Sequence, residues 1–387
     1  MGQRLLVRNA ISCNNNDAGK PIDIIIAEGS IESVEPAGIV SCDCRSLDAG
    51  GLIAVPGMID IHIHGAGGSD SLDGTREGLE TISRTLAKTG TTSFLTTMVV
   101  TPGGENRHLK TATECTGSDL GGAELLGIYI EGPFISMEKR GGILPGCITT
   151  PSPAALNEIL ALAGDALKIM CVAPELEGID EIIRNLIYSG IKVSFGHSDA
   201  GYDETVKGFG MGISHVTHLF NTMRPLHHRN PGPLAAIFEN SSITAELIGD
   251  SYHVHPSLIN LAYRLKTASG LVCITDGIRS TGLPDGKYLY NNREYISERG
   301  LARYTDGTFI GSTMSLREIA SNFMKFTGCS LKEAIDTVTI NPARTAGVDN
   351  RKGSLEPGKD ADILLVTPSL EIKKTIIAGR IAENINL

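Results

Sequence analysis

The sequence predicts an α/β protein: a (β/α)8 TIM barrel carrying a small β-sandwich domain built from both chain ends. Three observations point there. Across residues 56–345, short apolar strands alternate with amphipathic helices eight times. Residues 1–55 and 346–387 read as short strands and turns without helical periodicity. No G-x-G-x-x-G motif follows any strand, which argues against an open dinucleotide-binding sheet.

Taken in order, "RLLVRNAIS" opens the small domain, and "DIIIAEGSIESVEP" reads as a hairpin turning at Glu28-Gly29. The barrel begins with "MIDIHIH" and the helix "EGLETISRTLAKTG". "TTSFLTTMVV" precedes a helix near residues 105–115, and "ELLGIYIEG" precedes "SPAALNEILALAG". "KIMCVAPE" is followed by "IDEIIRNLIYSG", and "KVSFGHS" by "YDETVKGFGMG". "SHVTHLFN" runs through a loop into "PLAAIFENS", and "ITAELIGD" precedes "PSLINLAYRLKTASG". The eighth unit is "LVCITDG", an insertion, and "SLREIASNFMKFTG". "GSLEPGKDADILLVT" and "EIKKTIIAGRIA" return the chain to the small domain.

The 387 residues are 41% apolar and 20% charged, a globular composition. The net charge of −10 argues against a nucleic-acid partner, which a basic stripe would mark. An anionic small molecule stays open, because a few local cations override the global field. No apolar run approaches the length of a membrane span, so no membrane partner is expected. The N-terminus lacks the apolar core and cleavage site of a signal peptide. Eight cysteines occur without a CxxC pair, Cys42 and Cys44 forming a lone C-x-C. Reduced thiols, no disulfides and a cytoplasmic setting are expected.

The site of such a barrel lies at the C-terminal ends of its strands. Polar residues ending these strands are His62 and His64 on the first, Glu131 on the third, His197 on the fifth, His218 on the sixth and Asp276 on the eighth. Strand alternation puts Asp60, His62 and His64 on one face, toward the barrel mouth, and Ile59, Ile61 and Ile63 on the other, toward the helices. Gly65 would let the chain turn around the site. A single histidine reads as a hydrogen-bonded core residue, but six such residues ending five strands form an N/O ligand set for a divalent cation. Zinc is expected first, with iron or manganese as alternatives, and one or two ions per subunit. A cation here would serve amide hydrolysis. Asp276 would shuttle the proton to the departing amine, with Glu131 as terminal or bridging ligand.

Histidines spaced H-x-H after the first strand, in a metal-binding barrel, resemble the amidohydrolase superfamily. The fourth strand ends "MCVAPE" without the bridging lysine of many members, and Glu131 can take that place. "VPGMIDIHIHG", "YIEGPFI", "FGHSDA", "VTHLFNTMRPLHHRNPG", "HVHP", "TDG" and "NPARTAGV…GSLEPGKDADILL" resemble the N-acetylglucosamine-6-phosphate deacetylase family along most of the chain. The resemblance implies a metal on Glu131, His197 and His218, with His62 and His64 completing a second site. It implies an N-acetylated amino-sugar phosphate as substrate, held by Asn221, Thr222, Arg229 and His253. Phe309 and Ile310 would lie on a loop over the sugar, and Arg229 would reach across a homodimer.

Two departures from the family pattern bear on the sugar. Ile143 stands in "RGGILPG" where a substrate-contacting histidine is usual, and Arg279 is a new cation three residues beyond Asp276. Arg279 either lies on the surface or faces the pocket as the replacement contact. His108, His215, His227 and His255 are left without a role, His215 being read as structural. The alternatives to this activity are an amidohydrolase of another N-acyl sugar, cyclic amide or N-acyl amino acid, and a silent sugar-phosphate sensor.

Overall fold

The computed structural model describes residues 4–14, 18–40, 44–290 and 293–382. Eight parallel strands follow one another around the barrel: Met58–Ile63, Thr91–Met98, Glu124–Glu131, Leu167–Val172, Lys192–Phe195, His215–Val216, Thr244–Ile248 and Leu271–Ile274. The first and last meet through Asp276 N donating to His62 O (3.0 Å) and His64 N donating to Gly277 O (2.7 Å). The hydrogen bonds that close the barrel are therefore made by the backbone of the predicted site. The sixth strand keeps only two residues of "SHVTHLFN", because His218 and Phe220 adopt left-handed φ values of 25° and 79° and leave the extended path.

Eight helices cover the strands: 76–87, 107–115, 153–163, 179–188, 202–211, 232–239, 256–266 and 316–327. Their starts follow from short polar side chains. Thr75 and Ser152 accept from the backbone of the first turn, and Ser315 with Glu318 forms a reciprocal capping box. Two further helices, Leu331–Val338 and Ile340–Thr345, follow before the small domain, and Asn341 Nδ2 donates to Ala268 O and Leu271 O, both at 2.8 Å.

The termini form one eight-stranded sheet, in which Ile53–Pro56 pairs with Ile363–Val366 and that strand with Ile372–Ile377. Its apolar cluster, including Val7, Ile24, Ile363 and Leu365, is separate from that of the barrel. The expected hairpin is present: Glu28 and Gly29 have φ 51° and 82°, as a two-residue turn of this hand requires. Cys44, half-exposed in a polar segment, is disulfide-bonded, contrary to the expectation of reduced thiols throughout. Cys42 lies outside the described residues, and Cys13, Cys115, Cys147, Cys171, Cys273 and Cys329 are free. No helix among the described residues is long and apolar enough to cross a membrane.

The insertion after the eighth strand is a four-stranded antiparallel sheet, Gly286–Tyr290, Arg293–Glu298, Leu301–Tyr304 and Phe309–Ser312. Its last residue returns to the barrel: Ser312 N donates to Asp276 O (2.9 Å) and Ser312 Oγ to Thr275 O (2.7 Å).

The barrel and small sheet are joined by buried charge. Lys352 Nζ lies 2.6 Å from Asp362, which precedes a small-sheet strand, and 2.9 Å from Glu124, which opens the third barrel strand. The lysine is 4% exposed, so its removal leaves Asp362 without its buried counter-charge. Lys352→Ala is expected to cost about 3 kcal/mol, a penalty typical of breaking a buried pair on one side. The check is a lowered midpoint of thermal unfolding, with Lys373→Ala on the exposed face as control.

Candidate metal centre

The six predicted residues converge at the C-terminal end of the barrel. Three of them, His197, His218 and Asp276, have left-handed φ values of 46°, 25° and 47°. Non-glycine residues hold such backbones at a cost on the order of 1–3 kcal/mol, and they concentrate at functional sites. Beyond His197 the chain is anchored by Glu175 at the end of the fourth strand, which accepts from Ser198 Oγ (2.7 Å) and Asp199 N (2.6 Å).

Two clusters share one carboxylate. Glu131 Oε1 lies 3.0 Å from His197 Nε2 and 3.1 Å from His218 Nε2, and these nitrogens are 3.0 Å apart. Glu131 Oε2 lies 3.3 Å from His64 Nε2, which is 3.4 Å from Asp276 Oδ1. His62 Nε2 stands 3.5 Å from Glu131 Oε1 and 3.6 Å from Asp276 Oδ1, buried and without a hydrogen-bond partner. Donor atoms bound about 2.0–2.1 Å from a tetrahedral zinc stand roughly 3.3–3.4 Å apart, close to these spacings. His197 Nδ1 sits 2.8 Å from the carbonyl of Lys139. A carbonyl only accepts, so Nδ1 carries the proton and Nε2 of the neutral ring offers a lone pair to the cluster. The donor sets Glu131–His197–His218 and His62–His64–Asp276 thus fit divalent cations.

With no cation bound, protons balance the carboxylates. Burial alone would raise Asp276, but the His64 hydrogen bond and the charges of His62 and His64 hold it at about 2. His64 is pushed up to about 9: burial opposes this, and the contacts with Asp276 and Glu131 outweigh it. A cation entering the cluster displaces such protons, which makes its binding pH-dependent.

Glu246 was not singled out from the sequence. It lies on the seventh strand and is fully buried. Its Oε2 lies 2.9 Å from His62 Nδ1 and accepts from His218 N (3.0 Å), while its Oε1 lies 3.2 Å from His215 Nε2. His215 turns away from the ligand set, and its Nδ1 lies 2.7 Å from the Thr244 hydroxyl. The available signal was a carboxylate inside the apolar strand "ITAELIGD".

The first strand does not alternate as expected. Its register shifts between Asp60 and Ile63. Ile59 and Ile61 cluster with Leu95, Tyr129, Ile169 and Val272, whereas Ile63 joins Leu79 and Ile82 of the first helix. Asp60 accepts from the Thr275 hydroxyl (2.6 Å) and stays out of the ligand set. Gly65 is needed for close approach rather than for a turn, since a Cβ there would lie 2.4 Å from Ser69 O and 2.9 Å from Arg279 N.

A cavity of about 390 Å³ opens above the clusters. Of the predicted substrate contacts, Asn221, Thr222, His253, Phe309 and Ile310 line it, as does Ile143. His253 Nδ1 is 2.6 Å from Asp250 Oδ2, and its ring meets Phe309 edge-on at 5.3 Å. Arg279 is not brought there: its guanidinium pairs with Asp73 at 2.6 Å, outside the cavity wall, so the pocket-facing reading is replaced by the surface one. Arg229 is exposed and lines no part of its own chain's cavity. His108 and Tyr290 also reach the wall, neither singled out as a contact. His255 instead caps the helix 256–266.

The amidohydrolase family pattern matches residues 53–382, spanning the barrel and the returning strands of the small sheet. The chain belongs to the amidohydrolase family. Within that family it is similar to the N-acetylglucosamine-6-phosphate deacetylase of Bacillus subtilis (strain 168), 36% identical over 99% of this chain and 98% of that protein. It is also similar to the N-acetylgalactosamine-6-phosphate deacetylase of Escherichia coli O157:H7, 33% identical over 92% of this chain and 93% of that one. The crystal structure of the N-acetylglucosamine-6-phosphate deacetylase from Pasteurella multocida superposes with a TM-score of 0.92 at 27% identity, covering 98% of this chain and all of that one. The fold of this chain is thus shared with that solved structure along nearly its whole length.

Because Glu131 belongs to one cluster and also stands against His62 and His64 of the other, Glu131→Gln is expected to abolish tight binding of every cation. His64→Gln should spare the cluster of Glu131, His197 and His218. Metal content after dialysis, measured by plasma mass spectrometry, separates the two outcomes.

Proposed function

We propose that this chain is a metal-dependent deacetylase of an N-acetylated amino-sugar 6-phosphate, N-acetylglucosamine 6-phosphate or a close relative, releasing acetate and the free amine. The observation that carries this is the pair of ligand clusters that meet at Glu131 and line the floor of a cavity, in a chain similar throughout to enzymes of that name. Zinc suits the N/O donors, with iron or manganese as alternatives. A divalent cation held there polarises the acetamide carbonyl and lowers the pKa of water from about 15.7 to about 7.

The chain's own residues do the rest. Asp276, whose Oδ1 lies 3.4 Å from His64 Nε2, takes the proton of the attacking water at its carboxylate and returns it to the amide nitrogen as the C–N bond breaks. His253, fixed by Asp250, stands beside Phe309 on the wall where the sugar would lie. Ile143 offers no hydrogen bond at its place on that wall, so this chain selects its sugar with one polar contact fewer than the family pattern supplies. The exposed position of Arg229, away from its own cavity, supports a homodimer in which it serves the neighbouring one. A guanidinium matches a phosphate dianion in charge and geometry.

Asp276→Asn is expected to lower kcat by about 10²–10⁴, the usual range for a lost acid/base, while the Glu131–His197–His218 cluster keeps its cation. Acetate release and metal content, measured together, check both halves; turnover near wild type removes Asp276 from this role. Arg229→Ala is expected to raise KM for the phosphorylated sugar at least tenfold and to leave the unphosphorylated sugar unchanged. Equal effects on both substrates count against the phosphate contact.

A further inference from the structure

We infer that Glu246 is a positioning residue for the metal centre: it fixes the His62 imidazole with Nε2 facing the cluster and ties that ring to the backbone of His218. This rests on the metal-dependent reading above and goes beyond it, because Glu246 does not line the cavity.

A main-chain N–H only donates, and Glu246 Oε2 takes that of His218 at 3.0 Å, so this oxygen stands as an acceptor. The 2.9 Å contact therefore requires His62 Nδ1 to carry a hydrogen. A neutral His62 then has its lone pair on Nε2, the buried atom that finds no hydrogen-bond partner and stands nearest Glu131 and Asp276. The opposite tautomer would aim a lone pair at a carboxylate and a hydrogen into the ligand set.

The same oxygen, Glu246 Oε2, also accepts from His218 N at 3.0 Å. His218 holds its left-handed backbone in the other cluster, so one buried atom sets a ring in the first and a main chain in the second. His215 satisfies the second oxygen at 3.2 Å and is in turn met by the Thr244 hydroxyl. It completes the satisfaction of the carboxylate without touching either cluster.

The test uses the full-length protein and zinc alone, titrated against a competing chelator. Glu246→Leu keeps most of the bulk but removes the acceptor that meets both His62 Nδ1 and His218 N. It is expected to weaken zinc binding at the His62–His64–Asp276 site by about 10–100-fold, as loss of a ligand-orienting partner typically does. His215→Gln, which leaves the two Oε2 contacts in place, should stay within about threefold of wild type by the same reasoning. Unchanged affinity in folded Glu246→Leu overturns the inference. So does an equal loss in His215→Gln, since the carboxylate would then matter only as core packing. A wild-type protein that takes up no zinc or other divalent cation instead overturns the metal reading. If Glu246→Leu fails to fold, ¹⁵N shifts of zinc-loaded wild type decide: a His62 Nδ1–H supports the inference, and a metal-bound Nδ1 overturns it.

Discussion

One carboxylate organises the catalytic end of this barrel. Glu131 closes the third strand, and its two oxygens face four histidines drawn from the first, fifth and sixth strands. Such a concentration of acceptors and lone pairs is unfavourable by itself, because buried like dipoles and a buried anion both need compensation. Protons supply it in the metal-free protein, and a cation supplies it more effectively. The strained backbones of His197, His218 and Asp276 follow from the same demand: strands radiating around a barrel must bend inward to bring short side chains to a common point.

Much of this was legible in the sequence because it rests on local rules. Eight strand–helix alternations and the Glu28-Gly29 hairpin follow from periodicity and turn chemistry, and the structure has both. The six converging residues were visible as polar side chains ending apolar strands. What escaped depends on three-dimensional exceptions. The register shift in the first strand redirects Ile59, Ile61 and Asp60, and alternation alone cannot show a bulge. Glu246 escaped because its partners lie 28, 31 and 184 residues before it, on the sixth and first strands, a proximity created only when the strands assemble. Arg279 was drawn toward the pocket by its nearness to Asp276 in sequence. Asp73, more than 200 positions away along the chain, holds it instead.

The division of labour between charge and shape is also clear. Charged groups fill the barrel floor, while the cavity wall mixes Ile143, Phe309 and Ile310 with a few polar atoms from Asn221, Thr222 and His253. A wall of this kind discriminates by fit and by unpaired polar groups rather than by net charge. It agrees with relatives named as deacetylases of two different sugars, N-acetylglucosamine 6-phosphate and N-acetylgalactosamine 6-phosphate.

The four-stranded insertion delivers Tyr290, Phe309 and Ile310 to that wall and then ends at Ser312, whose amide holds the carbonyl of Asp276. The cavity wall and the main chain of Asp276 are thus consecutive parts of one hydrogen-bonded path. On the proposed reading, substitutions that reshape the wall would also press on the main chain of the proton carrier, and substrate range and turnover would be mechanically linked.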